Sequence, residues 1–107
     1  MTDYMVVITT TDGSEAAEAL ARGGVEARVA ACAQIVGPIR SVYWWDGRVQ
    51  DDPEYQVWFK APADRFEDIR DYILGAHTYD TPEVIQLPIT AGSAAYLAWL
   101  TDETKSR

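Results

Sequence analysis

The clearest pattern in the chain lies in residues 40–60, where apolar and aromatic side chains alternate along two consecutive segments. In the first segment, Val42 and Trp44 fall on one side, while Tyr43 and Trp45 fall on the other. Period-two alternation enriched in aromatic and β-branched residues is typical of a strand. The segment is therefore predicted to be the first arm of a long hairpin.

The return segment also has two apolar faces. Tyr55, Val57 and Phe59 alternate with Gln56, Trp58 and Lys60. A strand with two apolar faces has to be covered on both sides. One helical layer of a small domain covers one face, and we expect a second copy of the chain to cover the other.

Two positions compete for the turn of this hairpin. Asp46-Gly47 is a good two-residue turn signal. Asp51-Asp52-Pro53 lies at the end of a plausible extension, residues 48–50. We favour the later turn, with Gly47 marking a bulge, because it makes better use of Pro53. The arms are then long enough to project past the domain and reach a neighbour.

Outside this hairpin, the sequence predicts strands one and four and three helices, and it also predicts where strand two begins. Residues 4–10 read as strand one, and Cys32–Val36 begins strand two. Three helices are expected: one capped by Ser14 and running to about Ala30, one opening at Pro62 or Asp64 and ending near His77, and a short one capped by Ser93. Residues 84–89 form strand four. Gly23-Gly24 interrupts the first helix at roughly 1 kcal/mol per glycine, so we expect close packing against a neighbour there.

The resulting order is β-α-β-β-α-β plus a C-terminal helix. Right-handed crossovers around a central hairpin give an α+β ferredoxin-like sandwich, in which strands one and three are central. Strands two and four are then edges, and exposed edges need protection. Pairing strand two of one copy with strand four of the next is a heterologous contact that can close into a ring. We therefore expect a cyclic homo-oligomer, most simply a trimer.

Composition limits the possible partners. The chain has 107 residues, enough for one domain spanning residues 1–107, and a net charge of −8. Such an acidic chain disfavours nucleic acid and anionic membranes as partners. A single cysteine suits a reducing compartment, and neither a basic leader nor an apolar run of about 18 residues is present. We expect a soluble cytoplasmic protein.

Several motifs together resemble the CutA divalent-ion tolerance proteins. The matching stretches are VAACAQIV at residues 29–36, SVYWWDG at 41–47, Phe59-Lys60, HTYDTPE at 77–83, Ala91-Gly92 and YLAW at 96–99. The resemblance covers almost the whole chain and implies a cytoplasmic homotrimer of ferredoxin-like subunits, with an architecture similar to the PII signalling proteins. It also implies a link to tolerance of copper and other divalent cations, with no established catalytic reaction. The chain departs from the family's usual His-Pro-Tyr-Glu by carrying Thr78 and Asp80.

Family proposals place Cys32, His77 and Glu83 near metal, and thiolate with imidazole is a reasonable ligand set for copper. Their spacing carries no ligand signature of its own. Each residue also has a structural interpretation. Cys32 is a candidate small core residue, His77 a candidate helix C-cap, and Glu83 a candidate ion-pair partner of Lys60 or Arg40.

The aromatic side chains are expected chiefly at contacts between subunits. The predicted trimer interface comprises Tyr43, Trp44, Trp45 and Trp58. Analogy with PII-like trimers adds an intersubunit cleft, lined by Trp45, Lys60, Tyr79 and Glu83.

Three classes of function follow from the sequence. The first is a trimer linked to divalent metal tolerance that binds copper or another divalent cation weakly or indirectly. The second is a PII-like small-molecule sensor or protein-interaction scaffold that uses the intersubunit cleft. An enzyme is disfavoured, because the chain has one histidine, one cysteine and no Ser/His/Asp or glycine-rich phosphate motif.

Overall fold

The structure, a computed structural model, describes residues 3–105. Its elements in chain order are β1 (Tyr4–Thr11), α1 (Ser14–Glu26), β2 (Cys32–Trp45), β3 (Arg48–Pro62), α2 (Phe66–Ala76), β4 (Ile85–Ile89) and α3 (Ala94–Glu103). A single 3-10 turn, Ala63–Arg65, leads into α2. The four strands form one antiparallel sheet in the order β2-β3-β1-β4. The ferredoxin-like α+β prediction is confirmed, with β1 and β3 central and β2 and β4 at the edges.

The apolar core lies between one face of the sheet and the helices α1 and α2. Every second residue of β1 and β3 contributes its side chain to this core, because successive side chains of a strand point to opposite faces of the sheet. The fully buried core side chains include Met5, Val7, Val57, Phe59, Ile69 and Ile73. On α2, Ile69 and Ile73 face this core, whereas Ala76 is exposed.

Helix α3 lies against the opposite face of the sheet. Its Thr101 Oγ1 is 2.8 Å from the Oη of Tyr4, a residue that alternates with the core residue Met5 on β1. Leu100 of α3 is fully buried, and Ser93 caps the helix by accepting a hydrogen bond from the Tyr96 N–H. Part of the second apolar face is therefore covered within one chain. None of the helices between residues 3 and 105 is long and apolar enough to cross a membrane.

Close packing at Gly23-Gly24 is confirmed. A Cβ atom added at Gly24 would lie 2.7 Å from Cε1 of Phe59, and one added at Gly23 would meet the hydroxyl of Tyr72. The missing side chains let α1 approach β3 and α2 closely, which offsets the helical cost of glycine.

The predicted bounds of α1 are wrong at both ends. The helix ends at Glu26 rather than about Ala30, because Arg28 adopts the left-handed conformation, with φ of 62°, that terminates helices. At the other end, Gly13 is the N-cap and Ser14 is the first helical residue.

The predicted position of the hairpin turn is also wrong. The chain turns at Asp46-Gly47, whose φ values are 54° and 73°, and Trp45 pairs with Arg48. Two consecutive positive φ angles are those of the tight turn whose twist matches the flanking strands. Gly47 therefore forms the turn itself, and the irregularity of the ladder lies between Val36 and Ile39.

Pro53, which favoured the later turn, lies within β3 and pairs with Arg40. β1 pairs with β3 only from Tyr55 to Pro62. In its distal half β3 has β2 as its one neighbour, so a residue without an N–H group is tolerated there. Pro53 would argue for a turn at that position only if β3 had a hydrogen-bonded neighbour on both sides there, and it does not.

Candidate functional site

A cleft of about 910 Å³ lies between the hairpin and the connection from α2 to β4. Three separate segments form its walls: the end of β1, the distal arms of β2 and β3, and residues 78–83 of the connection. Its volume falls in the range typical of small-molecule sites, roughly 300–1,000 Å³.

His77 fastens the connection onto the end of β1. The residue ends α2, and its backbone N–H donates to the Ile73 carbonyl, as in the predicted C-cap. The ring Nε2 lies 2.7 Å from the carbonyl oxygen of Thr10, and Nδ1 accepts a hydrogen bond from the Tyr79 N–H at 3.0 Å. This geometry fits the neutral tautomer with the proton on Nε2, so both ring nitrogens are engaged within one chain.

The Tyr79–Glu54 pair forms the polar centre of the cleft wall. The Tyr79 hydroxyl donates to Oε2 of Glu54 at 2.8 Å, and Glu54 is only 8% exposed. Burial, the hydrogen bond to Glu54 and that residue's charge all raise the pKa of the Tyr79 hydroxyl. Partial desolvation and, secondly, the negative charge of Glu54 raise the pKa of Glu83, although Glu83 is an exposed residue overall.

The hairpin arms supply aromatic and acidic groups to the same cleft. The Tyr43 hydroxyl donates to Oδ2 of Asp52 at 2.8 Å, and this hydrogen bond is the main reason why the pKa of Tyr43 is raised. Trp45 adds a second aromatic ring to the lining. The carboxylates of the lining are Asp12, Asp52, Glu54, Asp80 and Glu83, and the lining residues of this described region include no Lys, Arg or His.

Cys32 lies far from this cleft. Its Sγ is 3.5 Å from the Oη of Tyr96 on α3, a contact that, together with partial burial, raises the pKa of Tyr96 to about 12. Cys32 pairs with Lys60, and Lys60 pairs with Val6 of β1. His77 contacts β1 four residues further along, roughly 13 Å at the rise of a strand, and β1 lies roughly 10 Å from β2 across the sheet.

One chain therefore does not bring the proposed metal ligands together. Glu83 lines the cleft, His77 lies beside it, and Cys32 is remote. Among residues 3–105, no group of three or more His, Cys, Asp or Glu side chains is arranged to hold a metal ion. Within the described part of one chain, Cys32, His77 and Glu83 do not converge on a common metal site.

Of the other residues that the sequence predicted at the site, some line the cleft and some do not. Trp45, Tyr79 and Glu83 line the cleft, but Lys60 is not among the described lining residues. Arg40, considered as a partner of Glu83, instead makes a two-point ion pair with Asp51, at 2.7 and 2.9 Å.

The four aromatic residues predicted at the trimer interface differ in exposure. Tyr43, Trp44 and Trp45 are exposed in the arms. Trp58 is half-buried, and its Nε1–H donates to Oε1 of Gln56 at 3.2 Å.

Sequence reasoning missed most of the acidic lining: Asp12, Asp52, Glu54 and Asp80. The available signal was that each lies at a strand end or near a proline, in a segment that a turn or connection would occupy. These segments are far apart in the chain, so only the packing of the α2–β4 connection against the hairpin makes them one surface.

Comparison with known proteins gives a consistent match. Residues 5–103 match the family model described as CutA1 divalent ion tolerance protein. The chain is 42% identical over 102 residues to "Protein CutA, chloroplastic" of Arabidopsis thaliana, and 36% identical over 99 residues to "Divalent-cation tolerance protein CutA" of Thermus thermophilus. The crystal structure of CutA1 from Oryza sativa superposes with a TM-score of 0.93 at 38% identity, covering 98% of this chain and 96% of that one.

Coverage differs between the two relatives. The match spans 95% of this chain but 56% of the Arabidopsis protein, whereas it spans 92% of this chain and 96% of the Thermus protein. The chain therefore corresponds to about half the length of its plant relative and to nearly the whole of its bacterial one.

Proposed function

The chain belongs to the CutA1 divalent ion tolerance family, and from that membership we propose that it acts in tolerance of divalent metals, copper among them, as a cytoplasmic homotrimer. The observation that supports a cationic ligand is the cleft, whose walls carry carboxylates and no basic side chain among the described lining residues. A cleft whose charges are all negative attracts counter-ions, so it raises the local concentration of divalent cations without having to coordinate them itself. The single cysteine suits the reducing cytoplasm.

The ions are held weakly in this proposal. The proposed ligands are Cys32, His77 and Glu83, and one chain separates the first two by more than the reach of a coordination sphere. His77 must also give up a hydrogen bond, to Thr10 or to Tyr79, before it can bind an ion. An ion bound by Cys32 and His77 together therefore lies between copies of the chain.

The trimer in this proposal is supported by the hairpin arms. Trp44 is 75% exposed and Val42 is 66% exposed, and Trp45 and Val49 add further exposed apolar area. An apolar patch of this kind is typical of a surface that another protein covers. The free edges β2 and β4 allow a head-to-tail contact that closes into a ring.

Copper titration by calorimetry on the reduced protein tests the metal role. We expect weak, saturable binding that decreases in both Cys32→Ser and His77→Ala. Light scattering should give the mass of a trimer, three times that of one chain, for each protein. Asp68→Asn, which removes a carboxylate from α2, is the matched control and should bind as the unmodified protein does. Equal heats in all four proteins would show that copper binds only adventitiously to an acidic surface.

A second candidate function, a PII-like sensor or scaffold, is favoured by the shape of the cleft. Its size suits a small molecule, and Trp45 and Tyr79 give it aromatic walls. In this function the cleft binds a ligand, and the occupied trimer presents an altered surface to a partner. Ligand binding should then survive Cys32→Ser, because Cys32 lies far from the cleft.

A further inference from the structure

Glu54 is a buried carboxylate without a positive partner. Only 8% of the residue is exposed, and Oε2 takes the hydrogen bond from Tyr79. The ion pairs within residues 3–105 do not include Glu54, and it also lines the cleft. A buried charge is costly unless it is paired. Among the described residues, the side-chain partner of this carboxylate is the neutral phenol of Tyr79 on Oε2, which leaves Oε1 for a group that enters from the cleft.

The charges around Glu54 point to the sign of that group. Asp12, Asp52, Asp80 and Glu83 line the same cleft. The charge of Glu54 contributes to the raised pKa values of Tyr79 and Glu83 on the α2–β4 connection and of Tyr43 on the hairpin arm, so its negative potential acts on groups of both segments. A positively charged ligand reverses this effect, because it stabilises the carboxylates in their charged form.

The remaining lining distinguishes an organic cation from a metal ion. The aromatic rings of Tyr43, Trp45 and Tyr79 border the cleft, together with the apolar side chains of Val42 and Pro53. Aromatic faces attract ammonium groups, and apolar side chains suit an alkyl chain. A hard divalent cation gains nothing from either, because it needs several converging oxygens.

We propose that the cleft binds a small organic polycation, an alkyl chain carrying two or more ammonium groups, with one ammonium group on Glu54 and the chain along the aromatic wall. The proposal rests on the second candidate function, since it names the ligand class of that cleft. Several carboxylates in a cleft of about 910 Å³ suit several positive groups on one ligand better than a single charge.

The test is calorimetric titration of the full chain with spermidine at low ionic strength. Glu54→Gln keeps an oxygen for the Tyr79 hydroxyl but removes the charge. Glu67→Gln removes the same charge from the exposed surface of α2, outside the cleft, and is the matched control. We expect Glu54→Gln to weaken spermidine binding roughly tenfold or more, the effect of losing a charge-assisted hydrogen bond, and Glu67→Gln to change it less than about twofold.

A second titration with hexylamine separates a polycation site from a site for any ammonium group. We expect hexylamine, with one charge and a similar alkyl chain, to bind at least about tenfold more weakly than spermidine, because it pairs with only one carboxylate. Equal affinities for the two amines would overturn the polycation assignment. If Glu54→Gln does not fold, Asp80→Asn, at an exposed position of the same cleft, replaces it with the same expected direction.

Two further outcomes overturn the proposal. The first is equal spermidine affinity in Glu54→Gln and Glu67→Gln, which would reduce binding to general charge attraction. The second is absence of spermidine binding together with a changed oligomer mass in Glu54→Gln, which would show that a neighbouring copy fills the cleft. Neither outcome bears on the proposed role in metal tolerance, because the heats of copper binding to Cys32→Ser and His77→Ala are measured in the absence of spermidine.

Discussion

The two ends of the β2–β3 hairpin have the same kind of sequence but opposite surroundings. At the base, Val57 and Phe59 are fully buried under α1 and α2. In the arms, Trp44 of β2 and Val49 of β3, which pair with each other across the ladder, belong to similar alternating segments but remain exposed. The difference arises because β1 and the helices reach only the base. From Gln56 to Lys60, β3 pairs with both β1 and β2, whereas from Arg48 to Glu54 it pairs with β2 alone.

This contrast shows that an alternating apolar pattern specifies a strand but not what covers it. At the base, the cover is the chain's own helical layer, so truncation there affects folding. In the arms, no element within residues 3–105 covers these side chains, and in the proposed trimer another copy covers them, so truncation there is expected to affect assembly. Substitutions at the base and in the arms should therefore affect different properties, namely stability and oligomer mass.

The largest effect is expected at the base of the hairpin. Phe59→Ala leaves a cavity where the ring meets Gly24 and Tyr72, and should lower the free energy of unfolding by about 3–5 kcal/mol. Urea denaturation followed by circular dichroism measures the loss. Leu74→Ala, at an exposed position of α2, is the control and should change stability by no more than about 0.5 kcal/mol. Similar losses in both variants would contradict the assignment of Phe59 to the core.

The next effect is expected in the arms, on assembly rather than on folding of the subunit. Trp44→Ala removes the most exposed tryptophan of the hairpin and should weaken the trimer by about 2 kcal/mol or more, the level of an interface hot spot. Light scattering across a dilution series should show dissociation at higher concentration than in the unmodified protein. Leu74→Ala serves again as control, because it is apolar and exposed but lies outside the arms. An unchanged mass at every dilution would mean that the arms are not the contact.

The smallest effect is expected where α1 packs on the base. Gly24→Ala places a Cβ 2.7 Å from the Phe59 ring and 3.3 Å from the Tyr72 ring, and should lower stability by about 1–2 kcal/mol through overpacking. Gly75→Ala is the matched control, because a Cβ at that helical position meets nothing within 4 Å. It should be neutral or stabilise by up to about 1 kcal/mol. A stabilised Gly24→Ala would show that the close approach is not required. Thermal melting is sufficient for the comparison.

The errors of the sequence interpretation have identifiable physical causes. The later turn was favoured because it makes better use of Pro53, yet proline is tolerated within β3 where that strand no longer pairs with β1. α1 was extended because residues 27–30 continue a helical pattern, but Arg28 adopts a positive φ that no periodicity signals.

Some residues of the cleft could be predicted from the sequence and others could not. Tyr79, Glu83 and Trp45 were identified because they belong to motifs, and the structure places all three on one cleft. Glu54 was not identified, because its burial depends on Tyr79 crossing over it from a segment 25 residues away. The neighbouring Pro53 could have placed Glu54 near a turn, but it gives no sign that the carboxylate is buried.

The sequence alone determined the order of the elements, the central place of β1 and β3 and the family, because these depend on local periodicity and on motifs spread over almost the whole chain. Tertiary structure decided the length of the free hairpin arms, the separation of Cys32 from His77 and the buried charge of Glu54. These features depend on which segments touch across the sheet. Such contacts are set by packing over distances that the local pattern of the chain does not encode.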